Sequence, residues 1–575
     1  MKNLLLFWFI VFSFSGIVEV NACTNYLITK GASADGSTMI SYAADSHIRY
    51  GELYWRPAAE WPEGSMVTLY DRGTAQPLGQ IPQVRKTYQV VGFMNEFQVA
   101  IGETTFGGRH ELVDTTGIVD YGSLMFLALQ RSTSAREAIK VMFELVSEYG
   151  YCSSGESFSI ADPNEVWILE IVGKGTELVY DKKLKKYINK SRGAVWVAIR
   201  IPDGYVSAHA NHSRITNFKL SDGKTSISSK EMDKLFNPEV EIIYAEDVIS
   251  FARNKNFFEG NDEEFSFSQV YAPIGFSAVR FCELRVWAMF NAVNDDMQKY
   301  WDHVCGKDMT IKMPLYIKPN RKLTPQDLFA FKRNYLQGTE LDMSKDAGAG
   351  PFGSPYRWRP LTWELDGKEY FNERVTVTQQ TGFSFIAQMR SWLPDQIGGI
   401  YWLGVDDAGS CVYVPFYMGI TKPAEKWAEG YGDILTYKDD AAFWVFNRVA
   451  QFKYLYYNRV MVDILKQQSE LENKFAKYQP EIEKAALELY KKDSAISRQF
   501  LTDYSCNMAN YVVDYWREFG NFLLVKYLDG NVKQEENGEF LRNPWGYPKS
   551  PMFPGYSEEW KKIVTEKTGT QFEMQ

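Results

Sequence analysis

A strand signal begins directly on a processing signal. Residues 1–22, MKNLLLFWFIVFSFSGIVEVNA, carry one Lys, an apolar stretch from Leu4 to Phe14 and the small-residue ending Val20-Asn21-Ala22, which is the layout of a secretory signal removed after Ala22. The next residues, Cys23-Thr24-Asn25-Tyr26-Leu27-Ile28-Thr29, are strand-like with no tether before them. A chain processed here begins at the mouth of a sheet. Thr38 to Ala43 is strand-like too, and Gly31-Ala32-Ser33-Ala34-Asp35-Gly36 between the two is turn chemistry. A hairpin centred near Ala34 returns the chain so that Asp45 lies beside Cys23.

The rest of the chain is long enough, at 575 residues with 45% apolar content, to bury a large core. Its net charge of −9 argues against nucleic acid or an anionic membrane as partner, because both reward a basic face. Small neutral or cationic substrates fit better. After the signal, no stretch approaches the roughly 18 consecutive apolar residues of a spanning helix, so no membrane insertion of the mature chain is expected. Six cysteines at 23, 152, 282, 305, 411 and 506 contain no C-x-x-C pair, which leaves up to two disulfides among the five after Cys23.

From Thr24 to about Gly430 short strands alternate with isolated helices, an α+β pattern. Ser134-x-x-Glu137 reads as a capping box for a helix that Gly150 closes. Two hairpins are predicted, one pairing 157–161 with 166–171 across Asp162-Pro163-Asn164, the other pairing 195–201 with 205–210 across Pro202-Asp203-Gly204. From about Asp439 the texture becomes long helices, with Phe443, Phe446, Val449, Phe452 and Tyr456 on one apolar face and Pro480 as a break or new first turn. The predicted organisation is a signal at 1–22, a catalytic domain at 23–430 and a helical region at 431–575 packed on it.

A cysteine at the first position has a chemical use. A free α-amine has a pKa of about 7.7–8.0, so near neutral pH it can take the proton of its own residue's thiol. Nucleophile and base then come from one residue, which suits a chain with five histidines. His209-x-x-His212 could suggest a metal pair, yet two residues three apart on a strand point to opposite faces, and no metal or other cofactor is expected.

Cys23-Thr24, Asp35-Gly36-Ser37-Thr38-Met39-Ile40 and Asp45-Ser46 together resemble the opening of the dipeptidase and secernin family of N-terminal-nucleophile (Ntn) hydrolases, relatives of penicillin V acylase and bile salt hydrolase. The likeness continues through Gly92-Phe93-Met94-Asn95-Glu96, Ile101-Gly102-Glu103-Thr104, His209-Ala210-Asn211-His212-Ser213-Arg214-Ile215, Gly350-Pro351-Phe352-Gly353-Ser354-Pro355-Tyr356-Arg357 and Gly398-Gly399-Ile400-Tyr401-Trp402. It implies a four-layer αββα sandwich, Cys23 as nucleophile, Asp45 near its amine and Asn211 as an oxyanion donor. Ser277-Ala278-Val279-Arg280-Phe281 resembles the stretch that carries an active-site arginine in those relatives, which implies that role for Arg280. Glu103 and Thr104 fall where the relatives complete the substrate wall. Tyr42 stands where many relatives have Arg, and Ala44 replaces a frequent Glu, so contacts to substrate or thiolate differ there.

The function implied is hydrolysis of short peptides, dipeptides above all, by a secreted or periplasmic cysteine peptidase; a homo-oligomer is left open. Three alternatives stand beside it. One is an amidase or acylase acting on non-peptide amides with the same nucleophile. Another is a lipoprotein, since Val20-Asn21-Ala22-Cys23 loosely resembles a lipobox and a lipidated Cys23 has neither thiol nor amine. The third is a binding protein in which Cys23 is not catalytic.

Overall fold

The computed structural model describes residues 23–574, so the readings made on residues 1–22 lie outside the described residues. The first strand, β1 (Asn25–Ile28), is wholly buried and turns back into β2 (Thr38–Asp45), also wholly buried. Asp35 closes the turn: its Oδ1 accepts from Ser33 Oγ at 2.7 Å and from Ser37 N at 3.0 Å, while Gly36 takes the positive φ of 80° that the reversal needs. Tyr26 pairs with Ser41 and Ile28 with Met39, and Ala43 N–H donates to Thr24 O at 3.2 Å. One residue further along that register, Cys23 meets the Ala44–Asp45 end of β2 as the hairpin reading expects.

Then come β3 (Ala100–Gly107), α1 (Tyr121–Arg131), α2 (Ala135–Tyr149), β4 (Gly155–Ala161) and β5 (Val166–Gly173). The start of α2 matches its sequence signal in part. Ser134 Oγ accepts from Glu137 N at 3.2 Å, but the Glu137 carboxylate folds back onto Thr133 N–H at 2.7 Å instead of onto Ser134. The β4–β5 hairpin forms as predicted, with Asp162 Oδ1 accepting from the N–H groups of Asn164 and Glu165 at 2.8 and 3.0 Å.

The second predicted hairpin is overturned. β6 (Ala194–Arg200) and β7 (Val206–His209) are joined by the expected turn, with Tyr205 N–H on Pro202 O at 3.1 Å, yet they enter different sheets. The turn is anchored on the first hairpin: Asp203 accepts from Gly31 N–H at 2.5 Å, and Thr29 Oγ1 donates to Tyr205 O at 2.7 Å. Those bonds carry the outgoing strand onto the open edge of β1, where Asn25 pairs with His209.

A seven-stranded sheet results, in the order Tyr316–Ile317, β7, β1, β2, β8 (Thr381–Met389), β9 (Ile400–Val405), β10 (Val414–Tyr417). The second sheet has nine strands, with β6, β5, β4 and β3 adjacent at its centre. The chain is therefore α+β, as expected. The sheets approach at Gly102 of β3, where a Cβ would stand 3.2 Å from Tyr42 Cβ and 2.8 Å from the side-chain amide of Asn25; only glycine permits that spacing.

Among the later helices, α3 (Leu284–Val293) and α4 (Pro325–Lys332) lie near the first hairpin, and α5 (Ala442–Leu455), α6 (Tyr457–Lys492) and α7 (Ser494–Lys526) follow. Phe443, Phe446 and Val449 are buried as their spacing indicates. Pro480 does not break α6. The proline removes one backbone donor, but Glu483 is held by Arg390 and Ala486 O accepts from Ser497 Oγ at 2.8 Å, so tertiary bonds carry the helix through. Among the described residues no helix is long and apolar enough to cross a membrane, and all six cysteines are thiols, so neither disulfide left open by the sequence forms.

Where α5 meets the sheet, Asp406 is 2% exposed and accepts from Asn447 Nδ2 at 2.9 Å through one oxygen only. Burial and the adjacent Asp407 push its carboxyl up to about 7. Between the ordinary carboxylate value and about 7 the folded protein holds a proton that the unfolded chain has lost. Stability therefore falls as pH rises through that window, by about 1.4 kcal/mol per unit for one proton, and levels off above it. Asp406→Asn mimics the protonated form. Its stability advantage over wild type, read by urea unfolding, is expected to grow from pH 4 to pH 7; a constant difference would refute the assignment.

Candidate active site

Cys23 is 5% exposed, at the start of β1. Its Sγ lies 3.8 Å from Tyr42 Oη and 3.9 Å from Glu103 Oε1, and Tyr42 in turn donates to Glu103 Oε1 at 2.5 Å. The Asp45 backbone N–H is directed at the sulfur. Burial first, then the Glu103 and Asp45 carboxylates, push the thiol well above its ordinary value. Burial likewise raises Glu103 and Tyr42. A thiolate in this setting needs a proton acceptor and a counter-charge at the sulfur itself.

Asp45 is fully buried and saturated. Arg374 Nη2 and Thr381 Oγ1 each donate to its carboxylate at 2.6 Å, and Gln380 Nε2 donates to its carbonyl at 2.9 Å. Arg374 thus brings a guanidinium to the end of β2, three residues beyond Tyr42, from a distant part of the chain.

The backbone of the nucleophile is clamped by two cations. Arg285 Nη1 donates to Cys23 O at 2.6 Å and to Thr24 Oγ1 at 2.7 Å, and Lys332 Nζ donates to Thr24 O. Lys332 is buried, lies 4.7 Å from the centre of the Tyr26 ring, and is pulled down to about 7 mainly by burial. Arg285 Nη2 continues to Asn211 Oδ1 at 2.9 Å, and Asn211 Nδ2 donates to Thr105 O at 2.8 Å. Asn211 takes φ of 57°, a conformation that asparagine tolerates better than most residues. Asn25 adds a further tie, its amide accepting from Glu103 N at 3.0 Å and donating to Glu103 O at 3.2 Å in the orientation that satisfies it.

Of the residues singled out in the sequence, Cys23, Tyr42, Asp45 and Glu103 come together, and Asn211 joins them through Arg285. Arg280 and Thr104 do not. Arg280 pairs with Glu373 and donates to Cys305 O at 2.9 Å, because the helix before α3 passes through a π-turn over Val279–Glu283 that gives the Cys23 carbonyl to Arg285 instead. Thr104, next along the strand from Glu103, bonds His209 Nδ1 at 2.7 Å, and His209 Nε2 reaches Ser159 Oγ at 2.7 Å. His212 instead lies 3.9 Å from Glu283, and burial holds both rings neutral near pH 7. The two histidines face separate partners.

Comparison with known proteins decides the family. The model of "Peptidase family C69" matches residues 49–470, nearly three quarters of the chain. The chain belongs to peptidase family C69. The matched stretch begins after Cys23 and Asp45 and covers Glu103, Asn211, Arg285, Lys332 and Arg374. Similar curated proteins include a "Probable dipeptidase" of Latilactobacillus sakei, 25% identical over 452 residues, covering 75% of this chain and 81% of the relative. Another "Probable dipeptidase", from Salmonella dublin, is 24% identical over 430 residues, or 70% of this chain and 83% of the relative. A "Probable dipeptidase B" of Lactococcus lactis is 23% identical over 429 residues, or 72% and 77%. In this C69 chain Arg285, Lys332 and Arg374 are the site residues that sequence reasoning missed. Arg285 had one legible sign, a lone cation inside the apolar run Leu284–Val293, since a charge buried among hydrophobes needs partners.

Proposed function

We propose that this C69 peptidase is a secreted or periplasmic dipeptidase of the αββα Ntn class, in which Cys23, as first residue of the processed chain, is both nucleophile and base. The α-amine takes the thiol proton and the sulfur attacks the carbonyl carbon of the peptide bond. Asn211, oriented by Arg285, supports the resulting oxyanion. The tetrahedral adduct collapses, the C–N bond breaks, and the ammonium returns its proton to the leaving amine. Water deprotonated by the same amine then cleaves the thioester and restores the thiol.

The carrying observation is the clamp on Cys23 and Thr24. Arg285 and Lys332 fix the backbone carbonyls of Cys23 and Thr24, and the Arg285 guanidinium disfavours an added positive charge on the amine, which promotes its basic form. The dipeptidase names of the relatives supply the substrate class. Cys23→Ala is expected to abolish dipeptide hydrolysis while thermal unfolding stays near wild type. Turnover at the wild-type rate, or an intact mass that shows a lipid adduct or a start other than Cys23, overturns the mechanism.

A further inference from the structure

The net charge of −9 hides a local exception. Between β5 and β6 the chain leaves the nine-stranded sheet as a separate hairpin, whose strands Leu178–Asp181 and Lys186–Asn189 are bonded to each other and to no further strand. Its base is fixed. The buried Asn189 side chain accepts from Glu177 N at 2.9 Å and donates to Gly175 O at 2.9 Å, and Gly175 N–H donates to Leu112 O at 2.9 Å. Beyond the base the hairpin stands in solvent. Strand alternation puts Leu178, Tyr180 and Tyr187 on one exposed face, with the two tyrosine rings 5.4 Å apart and Tyr187 67% exposed. Ile188 points the other way and is half-buried, so the aromatic face is the outward one.

The turn carries the charge. Asp181 pairs with Lys186, and its Oδ1 accepts from Lys183 N at 2.7 Å and from Leu184 N at 2.9 Å, which leaves Lys182, Lys183, Leu184 and Lys185 projecting at the tip. Leu184 is 59% exposed. Lys185 takes φ of 51°, so the tip holds a lysine where glycine would relieve strain. None of Lys182, Lys183, Lys185 and Lys186 forms an ion pair among the described residues, and the adjacent acids are engaged, Asp181 in the turn and Glu177 with Lys190 at 3.4 Å. Lysines on an exposed strand often guard its edge against pairing. Three of these four lie beyond the last strand pair, where there is no edge to guard.

An apolar tip ringed by lysines, with tyrosines behind it, matches one kind of surface. An anionic bilayer accepts lysines at its headgroups, tyrosine rings at the interface and a single apolar side chain below them, and it needs no matching concavity. A soluble polyanion would leave Leu178 and Leu184 in water. An acidic protein would need a pocket shaped for Leu184.

We infer that the hairpin 178–189 docks the protein on an anionic phospholipid bilayer, with Leu184 entering the interface and the four lysines lying against the headgroups. The contact is peripheral. It shares no residue with the site at Cys23 and stands independently of the proposed mechanism.

The test is cosedimentation of the whole protein with vesicles of phosphatidylcholine, with or without about one third phosphatidylglycerol. Binding to the anionic vesicles should exceed binding to the neutral ones by about 100-fold or more, and should fall by about 10-fold or more between about 50 and 500 mM salt. At about five-fold per lysine near a charged surface, Lys182→Ser/Lys183→Ser/Lys185→Ser should weaken it by about 100-fold. Leu184→Ser should weaken it several-fold at either salt, because apolar burial is not screened. Both variants should keep wild-type thermal unfolding and dipeptide hydrolysis, since these side chains meet only solvent. Equal binding to the two vesicles, or unchanged binding by the triple variant, overturns the inference. So does binding to heparin as strong as to the anionic vesicles and untouched by Leu184→Ser, which gives the surface to a soluble polyanion. Self-association that Leu184→Ser abolishes, with no vesicle binding, gives it to a second copy and refutes the bilayer.

Discussion

A form of the protein in which Ala22 stays joined to Cys23 should fold and hydrolyse no dipeptide. An ordinary cysteine protease tolerates residues before its nucleophile because its base is another side chain. In the proposed mechanism the base is the terminus. Acylation turns the amine into an amide nitrogen with no basic lone pair near neutral pH, while the thiol remains pushed up by burial, Glu103 and Asp45. Tyr42 at the sulfur cannot replace it, since it is itself raised by burial and donates its proton to Glu103. A protease site cutting immediately before Cys23 should restore activity without refolding, measured as dipeptide hydrolysis before and after the cut, beside a Cys23→Ala control. Full activity in the uncut form would refute the N-terminal base.

The second large effect concerns stability. Lys453 on α5 and Asp407 after β9 are both fully inaccessible, joined at 2.8 Å, with Ser410 Oγ at 2.9 Å and Tyr356 Oη at 2.8 Å from the same ammonium. Tyr454 donates to the other side of the same arrangement, reaching Asp407 at 2.7 Å. Burial disfavours the lysine's charge and Asp407 restores it. Lys453→Met fills much of the volume but leaves Asp407 charged and uncompensated, a loss of about 3–5 kcal/mol. Urea unfolding should show the midpoint falling by that equivalent, and Lys453→Met/Asp407→Asn should recover a large part, since the penalty lies in the unpaired charge and not in the missing contact. A single variant as stable as wild type would show that the pair contributes nothing.

The parts of the site that lie close in sequence were legible from residue order, because a short turn fixes register and register fixes neighbours. Asp35 and Gly36 define the turn, and from them follows the meeting of Cys23 with the Asp45 end of β2. What failed was long-range. Pro202-Asp203-Gly204 is a good turn in either topology, and only the bond from Gly31 to Asp203 reveals that the chain changes sheets there. Arg280 matched a sequence pattern, yet one π-turn rephases the helix and gives its place to Arg285. Lys332 and Arg374 look like surface cations because nothing local says that α4 and the segment before β8 converge on the first hairpin.

Chain termini ordinarily fray, opening and closing at almost no cost in free energy. A terminus at Cys23, as proposed above, would be denied that freedom. β1 lies inside the sheet, with β7 bonded along one edge and β2 along the other, and its four residues are all buried. Freeing Cys23 by local opening would strip both neighbours at once, so the amide protons of β1 are expected to exchange with the slowest class, those released by global unfolding. Under the proposed mechanism, Cys23 could therefore not be switched by loosening its own end of the chain. Heat or denaturant should extinguish the chemistry only when the whole sheet goes, and partial unfolding at the outer helices would leave the nucleophile seated.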